Sequence, residues 1–112
     1  MNRICTIGAG LYLVVSATAA QANPERFEDG KKAYQAICAE CHEQGVDGAP
    51  VTGNSEDWQQ RSGLWEAVLL EHAEKGYFGM PAKGGSDYAT EYDVGVAAEY
   101  MLTITHPQLP RD

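Results

Sequence analysis

Apolar residues recur at intervals of three and four along much of the chain, the spacing that brings side chains to one face of an α-helix. The first such stretch after residue 22 is FEDGKKAYQAICAECH, which runs from Phe27 to His42. Its repeating positions are Phe27, Gly30, Tyr34, Ile37 or Cys38, and Cys41. Pro24 lies just upstream, where the first turn of a helix tolerates proline. No segment alternates with period two, so the pattern predicts helices and no strand.

Two helices are predicted in the middle of the chain. Ser55 is a candidate cap for a short helix over SEDWQQR, because Glu56 and Asp57 then fall in its first turn, where the helix dipole favours acidic side chains. A longer helix is expected from about Leu64 to Lys75, with Gly76 as its stop. Its apolar stripe consists of Trp65, Val68, Leu69 and His72.

The last predicted helix begins after Thr90, with Asp93 in the position that completes a capping box. Its expected buried face is Val94, Ala97, Ala98 and Met101. His106-Pro107 ends the pattern. The whole domain is therefore predicted to be all-α, with short helices.

Two glycine-rich segments separate these helices: GVDGAPVTGNS, which starts at Gly45, and GYFGMPAKGGSDY, which starts at Gly76. The second contains four glycines and one proline in 13 residues, which excludes regular structure. Loops of this length usually serve a function, and a chain of this size buries little apolar surface. A large prosthetic group in the centre would account for both features.

Residues 1–22 differ in composition from the rest of the chain. Arg3 precedes an apolar run from Ile4 to about Ala20 that has no acidic residue, and Ala20-Gln21-Ala22 is typical of a signal peptidase site. A retained membrane anchor is the alternative, but the run is near the lower length limit for a spanning helix. We expect residues 1–22 to be a signal peptide and residues 23–112 to be a single periplasmic domain, with no stable membrane insertion after cleavage.

Removing Arg3 with the signal peptide leaves 7 basic and 16 acidic residues, a formal charge of −9. This acidity argues against nucleic acid as a partner and favours encounters with basic protein surfaces. The alternative is that the charge only keeps a small exported protein soluble.

Cys38 and Cys41 are the cysteines that remain after the signal peptide, and their spacing leaves four possibilities: a disulfide, a zinc site, a thioredoxin-like redox pair and covalent haem. A disulfide between them would close a trivial loop and stabilise little. A zinc site needs further ligands, and only His72 and His106 remain, each of them isolated. A thioredoxin-like pair follows a strand, and none is predicted.

Covalent haem is the favoured chemistry, because His42 follows Cys41 directly. Two cysteines three positions apart on a helix lie on the same face, where each can form a thioether with one haem vinyl group. The adjacent imidazole of His42 is then the expected axial ligand of the iron.

Met80 is the expected second axial ligand. It lies in GMPAKGG, a loop that offers no helical face, whereas Met101 occupies a core position of the last helix. His72 is the chief alternative. A histidine and a methionine together leave no open position on the iron, and a thioether raises the reduction potential, which suits electron transfer.

These residues resemble the small class I c-type cytochromes, and most closely the bacterial cytochrome c5-like group. The resemblance is carried by CAECH at Cys38–His42, by GAP at Gly48–Pro50, by Trp58 with Arg61, by GMPAKGG and by the final AAEYM. It covers roughly Gly30 to Met101. It implies about four short helices wrapped around one covalently bound haem c.

The resemblance also implies roles for individual residues. The carbonyl of Pro50 would accept a hydrogen bond from His42 Nδ1, and Trp58 and Arg61 would lie near the haem propionates, although Trp58 serves equally well as core filling. Gly30 and Tyr34 would mark the crossing of the first and last helices, with Tyr34 near Tyr100. Lys83 would lie beside the exposed haem edge. Two departures from the family pattern, the tyrosine-rich SDYATEYD and the tail LTITHPQLPRD, leave the partner open.

Two functions fit these expectations. The first is a periplasmic monohaem electron carrier with no catalytic residues, which transfers single electrons between redox partner proteins. The alternative is the haem subunit of a periplasmic dehydrogenase, a flavin or molybdenum enzyme, with the tyrosine-rich stretch as its docking patch. A gas sensor or peroxidase would need an open or displaceable sixth position, which Met80 is expected to fill.

Overall fold

The computed structural model describes residues 10–15, 23–59, 61 and 66–108. Residues 10–15 are exposed and have no regular secondary structure. The rest of the expected signal peptide, including its cleavage site at Ala20-Gln21-Ala22, lies outside the described residues. None of the helices in the described part of the chain has the length and hydropathy needed to span a bilayer.

The described residues form five α-helices and no β-strand, which confirms the all-α prediction. The helices are α1 (Pro24–Ile37), α2 (Ala39–His42), α3 (Ser55–Trp58), α4 (Glu66–Lys75) and α5 (Glu91–Thr105). Two short 3₁₀ turns, Val46–Gly48 and Ala82–Gly85, lie within the two glycine-rich segments. α1 and α5 pack against each other, and α4 packs on α5.

Gly30 is the point at which α1 crosses α5. A Cβ atom at this position would overlap the carbonyl oxygen of Val96 and lie 3.0 Å from Cβ of Tyr100, so only glycine permits the approach. Four residues further along α1, the ring of Tyr34 lies 5.2 Å from that of Tyr100 between centroids. The expected crossing of the first and last helices is therefore present.

A charged pair ties the two helices together beside the crossing. Arg26 donates from Nε and Nη2 to the two carboxylate oxygens of Glu99, at 2.7 and 2.6 Å. Asn23 caps α1 by accepting the backbone N–H groups of Glu25 and Arg26. Because the cap and the ion pair both lie in the first turn, the start of α1 is held in place on α5.

The capping box predicted for α5 is present. The Thr90 hydroxyl accepts the Asp93 N–H at 3.1 Å, and the Asp93 carboxylate accepts the Thr90 N–H at 2.9 Å. The predicted buried face is correct for three residues, whereas the fourth, Ala98, is only half-buried. Val96 is 1% exposed although the pattern omitted it. Because α5 packs against both α1 and α4, its buried face is wider than a single stripe.

The prediction that Ser55 caps α3 is wrong. Asn54 is the cap, and its side-chain oxygen accepts the Glu56 N–H at 3.1 Å, while Ser55 is the first helical residue. The helix ends at Trp58 and does not continue through SEDWQQR. The start of the next predicted helix, at Leu64 and Trp65, lies outside the described residues, and α4 is described from Glu66.

Candidate functional site

Cys38 and Cys41 lie at the junction of α1 and α2. Cys38 separates the two helices, and its carbonyl accepts the backbone N–H groups of Cys41 at 3.2 Å and of His42 at 3.0 Å. One turn of helix therefore brings both sulfurs to the same side of the junction. Both are free thiols, the first half-buried and the second exposed.

The surroundings of Cys38 do not favour its thiolate form. Burial, and to a lesser degree the neighbouring Cys41, raises the pKa of the Cys38 thiol to about 11. Disulfide exchange uses the thiolate, which this environment disfavours at Cys38. Among the described residues, no group of three or more His, Cys, Asp or Glu side chains is arranged to hold a metal ion.

The ring of His42 is buried and fixed. It is 6% exposed, and its Nδ1 lies 2.8 Å from the carbonyl oxygen of Pro50. Because a carbonyl can only accept, Nδ1 must carry the proton, and in the neutral ring Nε2 then keeps its lone pair. The contact thus prepares Nε2 as a ligand atom and holds the ring in one orientation.

Helix α3 supports the segment that carries Pro50. The Asp57 carboxylate accepts the Val51 N–H at 3.0 Å, and Trp58 Nε1 donates to the Val51 carbonyl at 2.9 Å. The indole also lies beside His42, with 6.0 Å between ring centroids and 21° between planes. Sequence reasoning did not assign a site role to Asp57. The indication in the sequence is that Asp57 is an acidic residue in the short helix that directly follows the loop.

Arg61 and Trp58 remain neighbours through the backbone, because the Arg61 N–H donates to the Trp58 carbonyl at 2.8 Å. The guanidinium is exposed, and its Nη1 donates to the Asp57 carbonyl oxygen at 2.5 Å. Arg61 is thus anchored at the end of α3. Its role near haem propionates stays a prediction.

Two further contacts fix the loop that follows His42, and sequence reasoning identified neither. The Tyr34 hydroxyl donates to the Glu43 carboxylate at 2.6 Å, which ties the end of α2 to α1. The buried Thr105 hydroxyl accepts the Gly53 N–H at 3.0 Å, which ties the loop to the end of α5. The first pair joins residues nine positions apart and the second joins residues 52 positions apart, and neither separation is a helical contact spacing that periodicity reveals.

Met80 lies in a tight hairpin. Its N–H donates to the Tyr77 carbonyl at 2.9 Å, and its carbonyl accepts the Tyr77 N–H at 3.0 Å. Phe78, at the turn, has a φ of +48°, an uncommon conformation for a bulky residue, and is 93% exposed. Glycine at position 76 lets the chain pass close to it after Met80, since a Cβ there would lie 2.9 Å from the Ala82 nitrogen and 3.1 Å from the Met80 oxygen.

The segment after Met80 passes against the end of α1. A Cβ on Gly84 would overlap the carbonyl oxygen of Ile37, the residue directly before Cys38. Lys83, predicted beside an exposed haem edge, donates to the Ala89 carbonyl at 3.2 Å and pairs with Glu74 at 3.4 Å. The fold therefore brings the methionine loop next to the cysteine pair.

His72 and Met101, the other candidate ligands, have different surroundings. The His72 ring stacks on Tyr77, with 3.8 Å between centroids and 7° between planes. Met101 is 7% exposed and belongs to the core with Tyr34 and Ala97. Packing therefore accounts for both of these residues, whereas Met80 lies in a hairpin whose following segment, at Gly84, packs on the end of α1.

Taken together, the side chains fit a covalently attached haem. The site offers two free thiols on one side of a helix junction and a buried imidazole with Nε2 as its lone-pair nitrogen. A thioether is available in the hairpin that leads to the segment packed on the end of α1. These are the donor types found in c-type cytochromes with histidine and methionine ligands.

Comparison with known proteins points the same way. Residues 25–101 match the family described as cytochrome c oxidase, cbb3-type, subunit III. Cytochrome c-555 of Prosthecochloris aestuarii is 42% identical over 43 residues, which are 37% of this chain and 43% of that protein. The match thus spans less than half of that relative's length.

A solved structure is similar over a longer range. A chain in the crystal structure of an electron transfer complex of nitrite reductase with cytochrome c matches with a TM-score of 0.65 and 31% sequence identity. The match covers 77% of this chain and all of that one. The chain belongs to this cytochrome c family, and its assignment to the class I c-type cytochromes is confirmed. Its cofactor is accordingly covalently bound haem c.

Proposed function

We propose that this c-type cytochrome transfers single electrons between redox proteins through one haem c. Cys38 and Cys41 form its thioethers, and His42 and Met80 bind the iron. The observation that carries this proposal is the buried His42 ring, whose Nδ1 is held by the Pro50 carbonyl at 2.8 Å directly after the two free thiols. When held by these residues, haem c would supply a one-electron iron couple.

The protein's part is to keep the ligand atoms in place. Pro50 orients His42, and α3 holds Pro50 through the contacts of Asp57 and Trp58 with Val51. The hairpin closed by Tyr77 positions Met80. Because the backbone on both sides is fixed by hydrogen bonds, the ligands can keep their positions in both oxidation states, which lowers the reorganisation that electron transfer requires.

We infer a periplasmic location and redox enzymes as partners. The location rests on the composition of residues 1–22 and on the family. The partner class is supported by the similar chain found with nitrite reductase and by the oxidase subunit family. The same two comparisons favour a second candidate, a haem subunit that stays bound to a periplasmic oxidoreductase, such as a dehydrogenase.

The visible spectrum of the periplasmically expressed protein tests the ligands. We expect a sharp low-spin c-type spectrum with the weak red sulfur-to-iron band in the oxidised form. Met80→Ala should abolish that band, and the matched variant Met101→Leu should retain it. A wild-type spectrum without the band, or a band that survives Met80→Ala, would contradict ligation by Met80. A high-spin spectrum would instead favour ligand binding or peroxide chemistry.

Hydrodynamic and kinetic measurements separate the two candidates. A carrier should elute as a monomer at all concentrations, and its electron exchange with a basic redox protein should slow as salt increases. A subunit should co-purify with a larger protein at low nanomolar concentration. Exchange rates that do not change with ionic strength would contradict steering by the acidic surface.

A further inference from the structure

An open groove of about 390 Å³ lies between the outer side of α1 and the segment that leads into α5. Its α1 side carries the small side chains of Ala33 and Ala36, followed by Ile37. Tyr88 and Tyr92 line the other side and are 70% and 50% exposed. We call this surface the tyrosine groove. Two exposed aromatic rings beside small apolar residues are typical of a protein interface.

The groove is held in shape before any partner binds. The Tyr92 hydroxyl donates to the Asp29 carboxylate at 2.8 Å, and the Arg26 guanidinium carbon lies 5.4 Å from the centre of the Tyr92 ring. The Ser86 hydroxyl accepts the N–H groups of Tyr88 and Ala89 at 3.4 and 3.1 Å. Because the walls are already ordered, binding would cost little conformational entropy.

The tyrosine groove adjoins the haem-binding residues proposed above. Ile37, at its end, is the residue before Cys38, and Gly84 of the methionine loop packs on the Ile37 carbonyl. A partner seated in the groove would therefore contact the surface next to the cofactor. This position suits a surface that docks a redox protein.

The charges around the groove indicate the chemistry of that partner. Asp29 and Asp93 line it, and the exposed Asp87 directly precedes Tyr88, whereas Lys32 is the one basic residue among those that line it. An acidic partner would meet three carboxylates, which opposes binding. Arginine and lysine side chains would be attracted, and their guanidinium or ammonium groups also pack well on tyrosine faces.

We propose that the tyrosine groove docks a basic partner protein. An apolar or aromatic side chain of the partner lies between Tyr88 and Ala36, and its basic side chains face Asp29, Asp87 and Asp93. This inference rests on the proposed electron-transfer function, because it names the surface through which that function's partner binds.

The first experiment titrates the ¹⁵N-labelled haem protein with a short amphipathic peptide of tryptophan, leucine and arginine. A matched peptide carries glutamate in place of arginine. The arginine peptide should shift the amide signals of Ala36 and Tyr88, and the glutamate peptide should not. Equal binding of both peptides, no binding of either, or shifts confined to the Tyr77–Met80 hairpin would overturn the proposal.

Variants then test individual residues. Tyr88→Ala should lower the affinity for the arginine peptide about tenfold, as expected for an aromatic anchor. Asp87→Lys should lower this affinity at low salt, and the difference from the wild type should become smaller as salt screens the charges. Lys32→Glu should raise the affinity. Phe78→Ser is the matched control, because Phe78 is an exposed aromatic residue outside the groove. An unchanged affinity in Tyr88→Ala, or an equal loss in Phe78→Ser, would contradict the assignment.

The outcomes of this experiment are separate from those of the proposed function. Failure of the proposed function appears in the spectrum of the unsubstituted protein, as a missing sulfur-to-iron band, whatever the peptide does. Failure of the docking proposal appears as an unaltered affinity in Tyr88→Ala while the spectrum and the exchange with a small soluble reductant stay normal.

Discussion

His72 and Tyr77 lie face to face, with their ring centroids 3.8 Å apart and their planes within 7° of parallel. The stack joins the last turn of α4 to the hairpin that carries Met80, since Tyr77 exchanges two backbone hydrogen bonds with Met80. His72, the alternative ligand in the sequence analysis, is thus in contact with the methionine loop. We infer that the stack keeps the hairpin on α4.

Replacing His72 by alanine should loosen the hairpin without unfolding the protein. An aromatic pair contributes about 1 kcal/mol, so the amides of Tyr77 and Met80 should exchange hydrogen roughly fivefold faster. The sulfur-to-iron band should also disappear at a lower denaturant concentration than the helical signal of α5. Amide hydrogen exchange by NMR and a denaturant titration of the red band measure both effects.

Two further variants serve as controls for this prediction. His72→Phe keeps a stacking ring and should restore most of the protection. Glu71→Ala removes a neighbouring exposed side chain on α4, which pairs with Lys75 at 2.7 Å, and should leave the hairpin amides unchanged. Wild-type exchange rates in His72→Ala would show that the stack does not hold the loop.

Two glycine-to-alanine substitutions in helices should have opposite effects on stability. Alanine at Gly30 would place Cβ on the Val96 carbonyl oxygen. The two helices would have to move apart to avoid this overlap, which should destabilise the fold by about 1–3 kcal/mol. At Gly95 in α5, no atom of the described residues outside the adjacent helix backbone lies within 4 Å of the corresponding Cβ position. Gly95→Ala should therefore stabilise the protein by about 0.5–1 kcal/mol through helix propensity.

Urea unfolding of the haem-loaded variants measures this difference. Because both variants replace glycine by alanine, the effect on the entropy of the unfolded chain is the same. The sign of the change in the free energy of unfolding therefore depends on the space around each Cβ atom. If Gly30→Ala were as stable as Gly95→Ala, the close approach of α1 and α5 at Gly30 would be disproved.

The Tyr34 hydroxyl makes stability depend on alkaline pH. Burial, followed by the hydrogen bond to Glu43, raises the pKa of Tyr34 to about 12 from the ordinary value of 10.0. A raised folded-state pKa favours the protonated folded form. The contribution of the protonated Tyr34 hydroxyl to the free energy of unfolding is therefore complete below pH 10 and is lost as the pH rises from 10 towards 12.

We expect the free energy of unfolding to fall by on the order of 2 kcal/mol more in the wild type than in Tyr34→Phe across that range. The phenylalanine variant removes the ionisable group and leaves the ring contact with Tyr100 possible. Chemical unfolding at pH 9, 10, 11 and 12 provides the comparison. Parallel pH profiles for the two proteins would rule out this linkage.

Removing the support of the Pro50 loop should change the reduction potential. Trp58→Phe keeps an aromatic ring beside His42 but loses the hydrogen bond from Nε1 to the Val51 carbonyl. A weaker contact between His42 Nδ1 and Pro50 makes the imidazole less basic, which favours ferrous iron and raises the potential. A hydrogen bond of about 1 kcal/mol corresponds to a shift of roughly 40 mV for one electron.

Spectroelectrochemical titration measures this shift. Asp57→Ala removes the other support of Val51 and should shift the potential in the same direction. Gln59→Ala, on the exposed residue that follows α3, should leave it within about 10 mV, well below the effect of one lost hydrogen bond. A lowered potential in both loop variants would contradict the proposed effect on His42.

Features that depend on neighbouring residues could be predicted from the amino-acid sequence. The period of three and four predicted α1, α4 and α5, and the Thr90 capping box follows from two side chains three positions apart. The spacing of Cys38, Cys41 and His42 indicated haem c, which the family assignment supports. These signals are readable because helix geometry and thioether spacing are local.

Contacts between different elements of the chain could not be predicted in this way, because they depend on how the helices and loops pack. The choice of Asn54 over Ser55 as a cap depended on the backbone path of the preceding loop, and the burial of Val96 depended on α5 having helices on two sides. The contact of Glu43 with Tyr34 and the stack of His72 on Tyr77 likewise follow from chain packing. Periodicity reveals which face of a helix is apolar, but hydrogen-bond and stacking partners are selected by distance in space, which only the folded chain defines.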